Sequence, residues 1–147
     1  MATTSVETAT YVLSALERVG VRYALLHNES NIADGEVTSD VDLVVDRAGA
    51  EVISLLSAEL RAAQLSIIAQ FPYDMSATSY FICDEAAEDA VQLDLMFDPQ
   101  GRGRLGIRSN FLLAEAKLGR RFCRLSDRDE LIYLPVSYTH LTLPTKA

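Results

Sequence analysis

The stretch that decides the fold is Ser39-Asp40-Val41-Asp42-Leu43-Val44-Val45. Side chains along a strand alternate between faces, so Asp40 and Asp42 share one face while Val41, Leu43 and Val45 fill the other. Two acids on one face of an otherwise apolar strand repel each other and lose hydration unless they meet solvent or a cation. Hard oxygen ligands at that spacing suit Mg2+. A second stretch, Gln92-Leu93-Asp94-Leu95, repeats the pattern: Leu93, Leu95 and Phe97 lie on one face, and Asp94 on the other with Gln92 and Met96. If the two strands are neighbours, Asp94 joins Asp40 and Asp42. Three carboxylates can hold two Mg2+ ions about 3.5–4 Å apart and clamp phosphoryl oxygens. Spacing alone leaves a plainer alternative equally open, with Asp40 capping a loop and Asp42 and Asp94 at solvated strand edges.

Around this stretch lies a chain of 147 residues, 49 % hydrophobic, with only 7 Gly and 4 Pro. That composition excludes a disordered or collagen-like chain, and the length suits one domain. No apolar run reaches the ~18 residues of a membrane span. The first twenty residues lack a basic start followed by an apolar block, so no secretory signal is expected. Cys83 and Cys123 make no disulfide framework, and a reduced, cytoplasmic setting is the expectation. A formal charge of -8 and a pI near 4.7 argue against DNA as a partner.

Working outward, Ser5 to Val19 has helical spacing (Val6, Ala9, Val12, Leu13, Leu16), with Gly20 placed to close the helix. Val21 to Leu26 reads as a buried strand, and His27 to Ser39 as a polar loop. After the Val41–Val45 strand, Asp46 is expected to cap a helix from Arg47 to about Ala63. Leu65–Phe71, Thr78–Asp84 and Ala90–Phe97 read as strands, with a turn at Pro72–Ser76. Phe111 to Leu118 looks helical and ends at Gly119. Ser126 and Asp129 have the spacing that opens a further helix. The expected architecture is α+β, an α/β sandwich in which a mixed sheet of about four to five strands carries helices packed on one face.

The last twelve residues, VSYTHLTLPTKA, resemble one reading frame of the adaptor left by transposase-based sequencing libraries, matching it at every position from Val136 to Thr145. Residues 136–147 are therefore set aside as a non-native tail. The expected domain is residues 1–135, truncated at its C terminus.

The succession of helix, strand, polar loop, Ser-Asp-x-Asp strand, helix and a later lone Asp in a strand resembles the nucleotidyltransferase fold of the DNA polymerase β superfamily. The resemblance covers roughly Ser5 to Phe97, with the longer span through Leu134 left open. It implies that Asp40, Asp42 and Asp94 are the catalytic, metal-binding acids, that two Mg2+ ions are cofactors, and that Ser39 is the serine preceding the pair. It implies a Mg2+-dependent transfer of a nucleoside monophosphate from an NTP to an acceptor hydroxyl, with a further C-terminal domain or partner chain in some members. The phrase Tyr23-Ala24-Leu25-Leu26-His27-Asn28-Glu29 is similar to the Leu-Arg-Asn phrase of one subgroup. The chain departs from the family where a Gly-Ser pair normally follows the first strand, because Asn28-Glu29 stands there. Asn28 tolerates an unusual backbone angle and can donate from its amide, and Ser30 can shift into the serine's role. Glu29 facing the site would repel phosphate. A catalytically degenerate binding or regulatory module of a fused or two-component system is the alternative.

The remaining candidates are weaker. His27 can orient a substrate or act as a base, though a half-buried strand-end residue is the commoner case. Arg102, Arg104 and Arg108, and Arg120, Arg121 and Arg124, form two basic clusters in an otherwise acidic chain. They suit phosphate, or simply balance the acidic body. Tyr73, Tyr80 and Phe81 can stack a base or fill the core.

Overall fold

The computed structural model describes residues 5–36, 40–74, 77–84, 86, 90–97 and 109–130. Ser39, the arginines Arg102, Arg104 and Arg108, and the tail 136–147 lie outside the described residues. Helix α1 (Ser5–Arg18) buries Thr8, Ala9, Val12, Leu13, Ala15 and Leu16 along one stripe. Gly20 closes it with φ 78°. The Gly20 N–H reaches the Glu17 carbonyl at 3.2 Å and the Val21 N–H that of Leu16 at 3.0 Å, a closure that favours a residue without Cβ.

The elements that follow are β1 (Tyr23–Leu25), α2 (Glu29–Ala33), β2 (Asp40–Val45), α3 (Gly49–Ala62), β3 (Leu65–Asp74), β4 (Ala77–Asp84), β5 (Val91–Met96), α4 (Ser109–Ala114), β6 (Lys117–Leu118) and β7 (Cys123–Arg124). The strands form one mixed sheet in the order β3-β4-β5-β2-β1-β7-β6. β2 pairs with β5 in parallel, and β1 with β7; the other pairings are antiparallel. Among the described residues the sheet thus has seven strands rather than four to five. The two extra ones, β6 and β7, are two residues each, too short for any alternation to register.

Helices cover both faces, not one. Val41, Leu43 and Val45 join α1 and α3 in the larger core, with Val12, Leu13, Leu16, Val52, Leu56 and Leu60. On the opposite face Ala24, Leu26, Val44 and Met96 pack against Leu112 and Leu113 of α4 and against Leu125. The acids at the start of β2 share that second face.

Three further expectations need correction. Asp46 caps nothing: α3 starts two residues later behind Ala48, because the Asp46 N–H is still in the ladder with the Arg22 carbonyl (3.2 Å) and its carboxylate pairs with Arg47 (2.8 Å). The polar segment after β1 contains α2, five residues long and anchored by buried Ile32. The helix expected to reach Leu118 stops at Ala114, since Leu118 is 74 % exposed and belongs to a hairpin closed by the Gly119 N–H on the Phe122 carbonyl (2.8 Å). Ser126 does cap a helical turn, accepting from the Asp129 N–H at 3.2 Å.

Leu43 is fully buried at the centre of the sheet. Leu43→Ala is expected to lower unfolding stability in urea by about 2–5 kcal/mol. Leu118→Ala should stay within about 0.5 kcal/mol of the parent. Equal losses for the two would contradict this placement of the core.

Candidate functional site

The register aligns side chains in rows across the second face. Phe71, Ser79, Asp94 and Asp42 are successive partners on β3, β4, β5 and β2. The next row runs Ala69, Phe81, Gln92 and Asp40. Asp42 and Asp94 therefore stand side by side, each only 6 % exposed. The strands carry them there because the alternate positions Val41, Leu43, Leu93 and Leu95 are held in the larger core.

Two acids this close and this buried cannot both be charged at low cost. The Asp94 carboxyl is pushed up to about 7, first by burial and then by its hydrogen bond to Asp42, while Ser79 and Gln92 pull it down. The Ser79 hydroxyl donates to Asp94 Oδ1. The Gln92 amide donates to the same oxygen at 3.0 Å. Asp42 has a second neighbour: its Oδ2 lies 2.6 Å from His27 Nε2. That contact holds the imidazole above its ordinary pKa against the opposing effect of burial, with help from the Asn28 side chain, which hydrogen-bonds to the ring.

Asp40 is less buried than the pair. It opens β2 on the same face, exposed, one row away and opposite Gln92. Among the described residues no group of three or more His, Cys, Asp or Glu side chains is gathered as a metal cage. The donor chemistry nonetheless fits a divalent cation. Asp42 and Asp94 form a hard-oxygen pair whose mutual repulsion is eased here by a proton, by Ser79 and Gln92 on Asp94, and by the His27 imidazole on Asp42.

The segment between β1 and α2 resolves the Asn28-Glu29 departure. Asn28 adopts φ 66°, ψ 14°, the left-handed conformation that glycine takes most readily. Glu29 turns away from the acids and is 5 % exposed. Its Oε1 accepts the backbone N–H of Arg121 (2.8 Å) and of Phe122 (3.2 Å). Gly119 packs directly over the carboxylate, and a Cβ there would come within 2.4 Å of Oε1. Ser30 lies exposed in the first turn of α2, where its carbonyl accepts from the Asp34 N–H at 2.9 Å.

The described arginines serve balance more than binding. Arg120 pairs with Asp34, and Arg124 with Asp127 and Glu130. Arg121 lies 5.1 Å over the Phe122 ring. Tyr80 is buried in the larger core. An open cleft of about 440 Å3 between α1 and α2, lined in part by Val6, Tyr11, Ile32 and Arg121, contains none of the three acids.

Sequence reading missed Ser79 in the site and the docking of Glu29 outside it. Ser79 had a faint signal, a small polar residue alternating with the buried Tyr80 and Ile82. The docking of Glu29 had none, since its partners lie 92 and 93 residues away.

Among solved structures, the chain is similar to a Thermotoga maritima protein whose crystal structure carries a provisional assignment as a nucleotidyltransferase. Identity is 19 %, the TM-score is 0.51, and the match covers 95 % of this chain and 88 % of that one. A likeness at that identity is one of fold, and the fold here is nucleotidyltransferase-like. No family model matches the chain, and no curated protein matches it.

Two outcomes test this geometry. The unfolded chain releases the Asp94 proton near the ordinary 3.8, whereas the folded chain keeps it to about 7. Across that window rising pH favours the unfolded state, by up to about 1.4 kcal/mol per pH unit. Asp94→Asn removes the titrating group. In chelator, its stability relative to the parent should therefore increase as pH rises from about 4 to 7, and a constant difference in melting temperature would refute the raised carboxyl. Gly119→Ala should destabilise the chain, by about 1–3 kcal/mol in denaturant unfolding, because it drives the Glu29 carboxylate off its two donors. No loss would mean that the clamp is not closed in solution.

Proposed function

We propose that the protein is a Mg2+-dependent nucleotidyltransferase. An acceptor hydroxyl would attack the α-phosphorus of an NTP, forming a new ester bond, and pyrophosphate would leave. The observation that carries this reading is the buried Asp42–Asp94 pair on neighbouring parallel strands of a nucleotidyltransferase-like sheet. Asp40, Asp42 and Asp94 would hold two Mg2+ ions, which when bound neutralise phosphoryl charge. Asp94 would also take the acceptor's proton. Ser79 and Gln92 fix the Asp94 carboxylate in one orientation, and His27 does the same for Asp42. Asn28, Ser30 and Ser39 would contribute polar contacts to the triphosphate. Most of the rate gain would come from positioning and charge neutralisation.

A second reading, a degenerate binding module, draws on two observations. Asp40 is exposed one row from the buried pair, and Asp42 is already engaged by His27. Label transfer from each α-labelled NTP, with Mg2+, to candidate acceptors separates the two: Mg2+-dependent binding without transfer selects the module. For either reading, Asp42→Asn is expected to abolish Mg2+-dependent NTP binding in calorimetry while the circular dichroism spectrum stays that of the parent. An unchanged titration would remove the metal site from both.

A further inference from the structure

The row that carries the acids ends in an aromatic. Phe71 is the β3 member of the Phe71–Ser79–Asp94–Asp42 row, and it is 57 % exposed. Its ring meets that of Phe81 edge to face, with centroids 5.9 Å apart. Phe81 is the β4 partner of Gln92, and Gln92 in turn bonds to Asp94. Both rings lie on the acid face, because the alternate β4 residues Tyr80 and Ile82 belong to the larger core, and Ser79, on the Phe81 side of the strand, reaches Asp94.

Core packing does not account for Phe71. More than half of the residue faces solvent, on the edge strand, where a polar side chain would cost nothing. Ala69, the β3 partner of Phe81, is small, and Phe81 is only half-buried. Two strand spacings separate Phe71 from Asp94, roughly 10 Å. That is the reach of a ribose between a phosphate held at the acids and its base. Ser79 occupies the ground between, where sugar hydroxyls would lie, with Gln92 in the neighbouring row.

We infer that Phe71, backed edge-on by Phe81, is the platform on which the base of the bound NTP stacks. This rests on the reading of Asp42 and Asp94 as the phosphate-side metal site. A flat π face offers affinity for any base, larger for purines than for pyrimidines, and no hydrogen-bond code. The geometry therefore assigns a nucleotide site that discriminates weakly among bases, with purines bound more tightly.

The test is calorimetric titration of the full chain, with Mg2+, using ATP, GTP, CTP, UTP and inorganic tripolyphosphate. For the parent, ATP and GTP should bind more tightly than CTP and UTP. Phe71→Ala should weaken ATP binding about 5- to 100-fold and leave tripolyphosphate binding unchanged. Phe71→Trp should restore ATP affinity, whereas Phe71→Leu, apolar but without a π face, should not. Because Phe71 is exposed, these variants should fold like the parent, which their melting curves check. A Phe71→Ala titration equal to the parent's, an equal loss toward ATP and tripolyphosphate, or full rescue by leucine would overturn the platform while the metal-site reading stands. Failure of the parent to bind any NTP or tripolyphosphate would instead overturn the metal-site reading, and the platform with it.

Discussion

The parallel pairing of β2 with β5 is the constraint on which the site depends. It sets Asp42 opposite Asp94 and Leu43 opposite Leu95, so the choice of inward face for the leucines is also the choice of where the acids meet. A shift of one residue in either strand would put an acid into the apolar core beneath α1 and α3. The hydrophobic core therefore enforces a juxtaposition that electrostatics alone opposes. The repulsion is answered locally by a shared proton, by Ser79 and Gln92 on one acid, and by His27 on the other.

Much of this was readable before any coordinates. The alternation in Val41-Asp42-Leu43 and in Leu93-Asp94-Leu95 is strong enough to assign strands, faces and the polarity of each face. The spacing in α1 and the glycine after it are equally plain. Features built from two or five residues stayed hidden, because β6, β7 and α2 are shorter than any period that could reveal them. The division of helices between faces was also illegible. An apolar pair such as Leu112-Leu113 shows that α4 buries something, and nothing local shows which side of the sheet receives it.

Asn28-Glu29 shows how a pair of residues can be misjudged when read as a substitute for another pair. Judged as phosphate ligands, the two look unfit. In place, Asn28 supplies the backbone turn, and Glu29 leaves the site for a buried bond to the far end of the chain. Three successive residues thus work in three directions: His27 toward the acid pair, Asn28 toward the His27 ring, and Glu29 toward the β6–β7 hairpin.

The Glu29 anchorage also bears on the order of events at the ribosome. The five strands from β3 to β1 all precede Phe97 in the chain, so their pairing can form while later residues are still being made. The amides that receive Glu29 belong to Arg121 and Phe122, and β7, which lines up along β1, comes just after them. Until that segment emerges, a carboxylate destined for burial has only water as its partner, and the turn bearing His27 lacks its outer wall. The acid pair can thus be in register long before the loop beside it is fastened from the C-terminal third of the chain.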